Sequence, residues 1–289
     1  MDFMRIRLYK KRVSRSLGGN VAIMLMLAVV SLFMVIPLFY AVIQAFKPID
    51  EIFAYPPKFF VRRPTLNNFT VVFELCRNLW VPFSRYTFNS LFVSVAGTLG
   101  YVVIASMMAY PLAKMKFRGQ KVIGLVIVWA LLFRSEVLGV PQYLIISRLH
   151  MLDTYWALLL PAMSGTFGVF LMKQFMVATV PDATLEAARI DGAGDGRIFT
   201  AIVMPSVRPA WLTLIIFTFQ SLWNATGLSY VYDERLKTLP AVLQTISAGG
   251  IARAGAGAAV ALLLMIPPIL IFIISQSSIM ETMSQSGLK

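Results

Sequence analysis

The sequence predicts an all-α membrane protein, a bundle in which six helices cross the bilayer and both termini face the cytoplasm. One reason is composition: 58% of the 289 residues are hydrophobic and 13% are charged, whereas a soluble domain has about 25% charged residues. Because the surface of a soluble protein has to be polar even around a large core, lipid must replace water over much of this surface. The other reasons are recurring uncharged windows and the clustering of basic residues between them.

Six windows approach the length of about 20 apolar residues that a membrane-spanning helix needs. The first is much longer than the roughly 7–15-residue apolar core of a cleavable signal, so we expect it to remain as the first helix. The third is interrupted by Arg134 and Glu136. The windows cover residues 21–46, 86–113, 122–147, 154–172, 209–232 and 254–280.

The orientation follows from lysine and arginine, which favour the cytoplasmic side in short connections. The N-terminal tail, residues 1–20, and the connection after the second window are basic, which predicts that both are cytoplasmic. The segment 180–205 and the C-terminal tail 281–289 then lie on the same side. The segment 47–85 has mixed charge and several prolines, so we expect it outside without a long helix. One transmembrane domain, residues 21–280, joins the tails.

The chain offers few groups for catalysis or metal binding. It has one cysteine, Cys76, and one histidine, His150, which excludes an internal disulfide, a paired-cysteine zinc motif and a multi-histidine metal site. A membrane enzyme would need such groups or clustered carboxylates in its helices. The net charge of +13 is typical of basic cytoplasmic loops rather than of nucleic-acid binding, because the basic residues form no stripe.

The predicted cytoplasmic segment 180–205 reads VPDATLEAARIDGAGDGRIFTAIVMP. Pro181 suits a helix start, and Asp182 can cap that helix or complement its dipole. A short helix over Thr184–Ile190 is therefore expected. A turn follows and then a second short amphipathic piece from Arg197 to Val203. The turn is predicted from glycines that permit positive φ angles, at Gly192, Gly194 and Gly196.

The first of these short helices presents small residues on one face. Ala183, Ala187 and Ile190 recur at helical spacing, so a partner surface can approach closely. A segment that only joined two spans would not need this face. The alternative is an interfacial helix that lies on the membrane.

The spacing in this segment resembles the EAA motif of ABC importer permeases. That motif has Glu-Ala-Ala, three residues, Gly, nine residues, Ile, any residue and Leu-Pro, and methionine replaces leucine here with similar bulk. The matching residues are Glu186, Ala187, Ala188, Gly192, Ile202, Met204 and Pro205, with Asp191 in the usual continuation. Further stretches resemble the maltose-permease-type carbohydrate branch: residues 109–119, 141–144, 152–161, 223–224 and 237–240.

The resemblance implies that residues 180–205, which we call the coupling segment, dock on a cytoplasmic ATPase. It implies charge at the contact from Glu186 and Asp191, close packing from Ala187 and Ala188, and a turn at Gly192. It also implies two ATPase subunits that bind ATP and magnesium, a second non-identical permease and an extracytoplasmic binding protein. The complex would move a sugar or oligosaccharide across a prokaryotic cytoplasmic membrane. This chain has no G-x-x-x-x-G-K-[ST] phosphate loop, so it is not expected to be the ATPase.

The fifth window carries polar and aromatic side chains that could line a substrate path. Gln220, Trp223 and Asn224 combine an aromatic face with hydrogen-bonding groups, as sugar sites do. Trp is also common at membrane interfaces, and polar side chains also join helices. Arg134 and Glu136 are further candidates because charges within a bilayer usually face the bundle interior or water. The alternative is a helix break near the outer surface.

Two other classes of transporter remain open at this point. A channel or secondary carrier would need more ionisable residues within the spans, or paired broken helices, for ion coupling. An ABC permease for a non-sugar solute, such as a polyamine, an amino acid or a phosphate ester, is compatible with the motif. Dependence on ATP separates the first alternative from an importer, and the transported solute separates the second.

Overall fold

The computed structural model describes residues 17–78, 80–133 and 135–286, so Arg134 and most of the N-terminal tail lie outside the described residues. Helices and turns make up these ranges. A π-helical stretch, Phe199–Val203, lies between α10 and α11. The helices are α1 Leu17–Ala45, α2 Ile49–Ile52, α3 Asn67–Asn78, α4 Phe83–Lys114, α5 Gln120–Ala130, α6 Ser135–Arg148, α7 Trp156–Met163, α8 Thr166–Thr179, α9 Asp182–Ile190, α10 Asp195–Ile198, α11 Met204–Ser206, α12 Arg208–Trp223, α13 Leu239–Ser247 and α14 Ala254–Ser286.

In the described part of the chain, four helices are long and apolar enough to cross a membrane. They match the first, second, fourth and sixth sequence windows, and cover Gly18–Ala45, Phe83–Lys114, Trp156–Thr179 and Ala254–Ile274. A fifth candidate is a bent pair, in which Asp195–Ser206 and Arg208–Trp223 meet at an angle of 77°. The structure therefore confirms an all-helical polytopic protein with four or five candidate spans.

The third window, residues 122–147, is not one helix, which supports the alternative of a helix break between α5 and α6. α5 has 11 residues and is about 17 Å long by helix rise, short of the roughly 30 Å hydrocarbon core. After it, Leu132 and Phe133 donate their N–H groups to the carbonyls three residues earlier, a tightening that commonly ends a helix. Gly139 and Pro141, residue types that often break helices, lie inside α6.

The fifth window also ends earlier than predicted, because α12 stops at Trp223 rather than at Tyr232. The residues that follow fold back over the N-terminal end of α4. Asn89 donates from Nδ2 to the carbonyls of Arg235 and Lys237, both at 2.9 Å. The carboxylate of Asp153 accepts from the N–H groups of Tyr232 and Asp233. Hydrogen bonds to distant residues thus hold this apolar stretch as a loop.

α4 lies at the centre of the bundle and packs against α7, α8 and α12. The predicted fourth span, residues 154–172, extends to Thr179 and breaks at Ser164 and Gly165, between α7 and α8. Tyr101 of α4 fills this break, and its hydroxyl accepts a hydrogen bond from the N–H of Gly168 at 2.6 Å. A Cβ on Gly168 would lie 2.6 Å from that hydroxyl, so only glycine permits this approach.

Candidate functional site

The coupling segment begins with the predicted helix, which starts two residues earlier than expected. Pro181 precedes α9 with φ −67°, and Asp182 is its first residue. The carboxylate of Asp182 forms no cap hydrogen bond within its own helix. It pairs instead with Lys114 Nζ at 2.8 Å, and the same ammonium donates to the carbonyl of Val180 at 2.6 Å. The negative charge still lies at the N-terminal end of the α9 dipole, where it is favourable.

α9 has one anchored face and one free face. The side chain of Leu185 is 2% exposed and packs in a core formed by parts of α4, α8 and α12. On the other side Ile190 is 86% exposed. Ala183, Glu186 and Ala187 are exposed as well. The predicted face of small residues is therefore open to a partner, while the helix is held from behind.

The turn after α9 is a Schellman motif, the helix end that closes with two reversed main-chain hydrogen bonds. The N–H of Ala193 donates to Ala188 at 2.9 Å, and that of Gly192 donates to Arg189 at 3.0 Å. Gly192 has φ +81°, as the motif requires. The prediction is confirmed at this glycine and is wrong at the other two. Gly194 has φ −72° at the start of α10, and Gly196 lies inside that helix.

The second half of the coupling segment turns the chain back into the bundle. Pro205 has no N–H to donate, and in a regular α-helix its ring would clash with the carbonyl of the residue four positions earlier. The π-helical stretch lies just before this proline. Ile202 and Met204 pack partly buried against the core. At the bend that follows, the carbonyl of Met204 accepts from the indole N–H of Trp211 at 3.1 Å. The Ile-x-Met-Pro part of the motif thus occupies a helical corner.

A pocket of about 400 Å³ separates the end of α4 from α9. Lys114 and Lys116 line one side, and Glu186 and Arg189 line the other. The Lys114 ammonium lowers the pKa of Asp182, first by its hydrogen bond and then by charge attraction. Across the Gly192 turn, Arg189 pairs with Asp195 at 3.4 Å. Two ion pairs, Lys114–Asp182 and Arg189–Asp195, therefore border the free face of α9.

The candidate substrate-path residues occupy different environments. Trp223 is 1% exposed, and its indole N–H donates to the carbonyl of Leu264 in α14 at 2.8 Å. This contact favours the helix-joining interpretation for Trp223. Gln220 and Asn224 are exposed at the end of α12. Glu136 lies in the first turn of α6, and Arg134 lies outside the described residues, so a substrate role for these four residues stays a prediction.

Sequence reasoning missed three residues that hold the coupling segment and α8, the helix before it. It used Lys114 only as a charge that sets orientation, although a lysine at the last position of a helix is a known partner for free carbonyls. It did not single out Tyr101 or Trp211. The hydrogen-bond partner of Tyr101 lies 67 positions away in the sequence, and that of Trp211 lies 7 positions away. The available signal was that the polar group of a buried Tyr or Trp usually finds a hydrogen-bond partner.

Comparison with known proteins finds relatives that are named as transport system permeases. No family model matches the chain. The chain is 29% identical over 224 residues to the polygalacturonan/rhamnogalacturonan transport system permease protein YtcP of Bacillus subtilis, covering 75% of this chain and 73% of that protein. It is 30% identical over 262 residues to the sn-glycerol-3-phosphate transport system permease protein UgpE of Escherichia coli, covering 86% and 90%.

The fold also matches a solved structure. A chain of a bacterial ABC transporter involved in the import of the acidic polysaccharide alginate superposes with a TM-score of 0.76 at 21% identity. The match covers 91% of this chain and 98% of that one. The relatives align with this chain over most of their length. This chain is a transport component rather than an enzyme, and it belongs to the ABC importer permeases, the multi-pass subunits of binding-protein-dependent transport systems in the bacterial inner membrane.

Proposed function

We propose that this permease moves a sugar or oligosaccharide across the inner membrane, driven by separate ATPase subunits that dock on α9. The observation that carries the proposal is the free face of α9, with Ala183, Glu186, Ala187 and Ile190 exposed over the buried anchor Leu185. Small side chains let a partner surface approach closely. The anchored face can then pass a displacement of α9 into the membrane domain, provided that the ATPase has two states.

Each residue of the motif has a role in this proposal. Glu186 offers a carboxylate to the ATPase, and Asp191 offers a second one where the helix ends. Ala187 gives close contact. Ala188 and Gly192 form the Schellman turn, which supports a structural role for both. Ile202, Met204 and Pro205 form the corner that joins the docking helix to α12.

The proposed topology has six crossings with both termini in the cytoplasm. α5 and α6 together form the third crossing as a broken helix, and α12 with the bent segment before it forms the fifth. The segment 47–85 then faces outward, where α3 and the residues around it are available to an extracytoplasmic binding protein. A second, non-identical permease completes the pore, and two ATPase subunits bind ATP and magnesium below it.

The names of the relatives support a carbohydrate substrate. YtcP is named for polygalacturonan and rhamnogalacturonan transport, and the transporter with the matching fold imports alginate. The exposed amide side chains of Gln220 and Asn224 are suited to sugar hydroxyls. A phosphate ester is the second candidate, because UgpE is named for sn-glycerol-3-phosphate.

The experiment is to purify the complex from its own membrane in mild detergent and identify every chain by mass spectrometry. We expect an ATPase with a phosphate-binding loop, a second permease and a binding protein. The complex is then reconstituted in liposomes, and ATP-dependent uptake of oligogalacturonides and of glycerol-3-phosphate is compared. Uptake of the first supports the proposal, and uptake of only the second supports the phosphate-ester alternative. A chain that purifies alone, or uptake without ATP, contradicts the proposal.

A further inference from the structure

One ammonium group bridges the junction between the fourth span and the coupling helix. Lys114 is the last residue of α4, and its Nζ donates to the carbonyl of Val180 at 2.6 Å and to Asp182 at 2.8 Å. Val180 ends α8 and Asp182 begins α9. The lysine thus holds the negative end of one helix dipole and a carboxylate at the positive end of the next.

The burial of this group distinguishes it from an ordinary surface ion pair. The side chain of Lys114 is 5% exposed, whereas that of Asp182 is 77% exposed. An ammonium withdrawn from water is strongly unfavourable unless it keeps its partners. If α9 moved away from α4, Lys114 would keep the Val180 carbonyl at the end of α8 but lose the carboxylate of Asp182. α9 is therefore held to the end of α4 by a contact that resists separation.

A second contact fixes the other end of α8 to the same helix. The hydroxyl of Tyr101 accepts from the N–H of Gly168 in the first turn of α8. Tyr101 and Lys114 are 13 residues apart in α4, about 20 Å along the helix. α8 is thus attached to α4 near both of its ends. The break at Gly165 lies just before this attached stretch.

We propose that Lys114 is a positioning residue that makes α9 move together with α4, so that a displacement of the docking helix reaches the centre of the bundle. This proposal rests on the proposed function, since it requires an ATPase that displaces α9. It assigns to Lys114 a role that the motif residues do not have. They form the docking surface, whereas Lys114 connects that surface to α4.

The test follows how a nucleotide signal spreads through the purified complex. Amide hydrogen exchange is measured with and without Mg-ATP and vanadate, and peptides from α9 and from the cytoplasmic half of α4 are compared. In the wild type we expect both helices to change, by about 5-fold or more in exchange rate, the lower end of coupling effects between sites. In Lys114→Met, α9 should still respond while the response of α4 is lost.

Two variants control for charge and for surface effects. Lys114→Arg keeps a cation that can donate to both acceptors and should retain the response of α4. Lys121→Met removes an exposed lysine of α5 that makes no hydrogen bond or ion pair with the described residues, and should behave as the wild type. A merely structural role for Lys114 would alter exchange in both nucleotide states equally and would leave the difference between them unchanged.

The outcomes separate the two proposals. An α4 response that persists in Lys114→Met overturns the role of Lys114, and so does a wild type in which α9 responds but α4 does not. A wild-type complex in which α9 does not respond to nucleotide overturns the proposed function, and the role of Lys114 with it.

Discussion

The indole N–H of Trp223 in α12 donates a 2.8 Å hydrogen bond to the main-chain carbonyl of Leu264 in α14. Within a helix that carbonyl would accept from the residue four positions later. That residue is Pro268, which has no N–H to donate. The tryptophan therefore satisfies a carbonyl that the proline leaves free, and it joins the fifth and sixth windows where the sixth is locally weakened.

Trp223→Phe should lower the thermal stability of the chain, because it removes the indole N–H and leaves the Leu264 carbonyl without this partner. Hydrogen bonds between membrane helices contribute about 0.6 kcal/mol on average and up to about 1.7 kcal/mol. The measurement is a thermal unfolding curve in detergent. Because the substitution also removes ring volume, Trp223→Phe is measured in the Pro268→Ala variant as well as in the wild type. Pro268→Ala restores a partner N–H for the Leu264 carbonyl within α14. The loss should be smaller there, and equal losses in both backgrounds would contradict the assignment.

Gly192→Ala should destabilise the turn after α9 by about 1–2 kcal/mol, the cost of a left-handed conformation for a residue with a Cβ. No atom lies within 4 Å of the added carbon, so the backbone angle of +81° is the cause. Gly194→Ala is the matched control, because its φ is −72° and its Cβ also meets open space. Exchange of the Ala193 amide measures the effect. Gly192→Pro should be more severe, since proline needs φ near −65°. Similar exchange in the two alanine variants would contradict the assignment.

Glu186→Lys should weaken the docking of the ATPase and reduce uptake without preventing membrane insertion. The carboxylate is exposed on the free face of α9, so the folded chain should tolerate the change while a complementary surface should not. Co-purification of the ATPase measures docking. Glu74→Lys makes the same charge change at an exposed residue of α3 and should leave docking intact. Normal docking and uptake in Glu186→Lys would remove this residue from the contact.

Acid should release the start of α9 because the pKa of Asp182 is lowered, first by its hydrogen bond with Lys114 and then by the attraction between the two charges. A carboxyl group whose pKa is lower in the folded state stabilises that state above its ordinary value and loses this contribution as the pH falls through the folded value. The wild type should therefore exceed Asp182→Asn in stability at neutral pH, with the difference decreasing progressively once the pH falls below about 4. Thermal unfolding between pH 3 and 7 measures this. A difference that does not change with pH would exclude the ion pair as its source.

Cys76 should react slowly with maleimides in the folded protein. Its side chain is 1% exposed, and burial, followed by the charge of Glu234, raises the pKa of the thiol to about 11. The thiolate is the reactive form, so a raised pKa suppresses labelling at neutral pH. Since Cys76 is the single cysteine, mass spectrometry reports its modification directly. Ile190→Cys provides an exposed thiol for comparison. Labelling of both sites at one rate would contradict the burial of Cys76.

The coupling segment was predictable because its signals are local. Pro181 precedes the helix, Gly192 alone supplies the positive φ, and Ala183, Ala187 and Ile190 recur at helical spacing. These features act within a few residues of one another. The roles of Gly194 and Gly196 were less predictable, since glycine permits a left-handed angle but does not require one.

The helix ends within the third and fifth windows were not predictable because hydropathy does not distinguish lipid from protein as the apolar surrounding. The stretch after Trp223 is held as a loop by Asn89 and Asp153, which lie far away in sequence. α5 ends in a local turn at Leu132 and Phe133, whereas the stretch after α12 depends on contacts that no window contains. The same applies to Lys114, whose charge was visible in the sequence and whose acceptors were not.

The contact between Tyr101 and Gly168 makes evolutionary substitutions at these two positions depend on each other. A methyl group at 168 would meet both the hydroxyl and the ring of the tyrosine, at 2.6 and 2.7 Å. An alanine can therefore be accepted at 168 only together with a smaller residue at 101, and the order of the two changes matters. Shrinking residue 101 first leaves a cavity, whereas enlarging residue 168 first creates a clash. Paired changes at these sites among relatives would record that path.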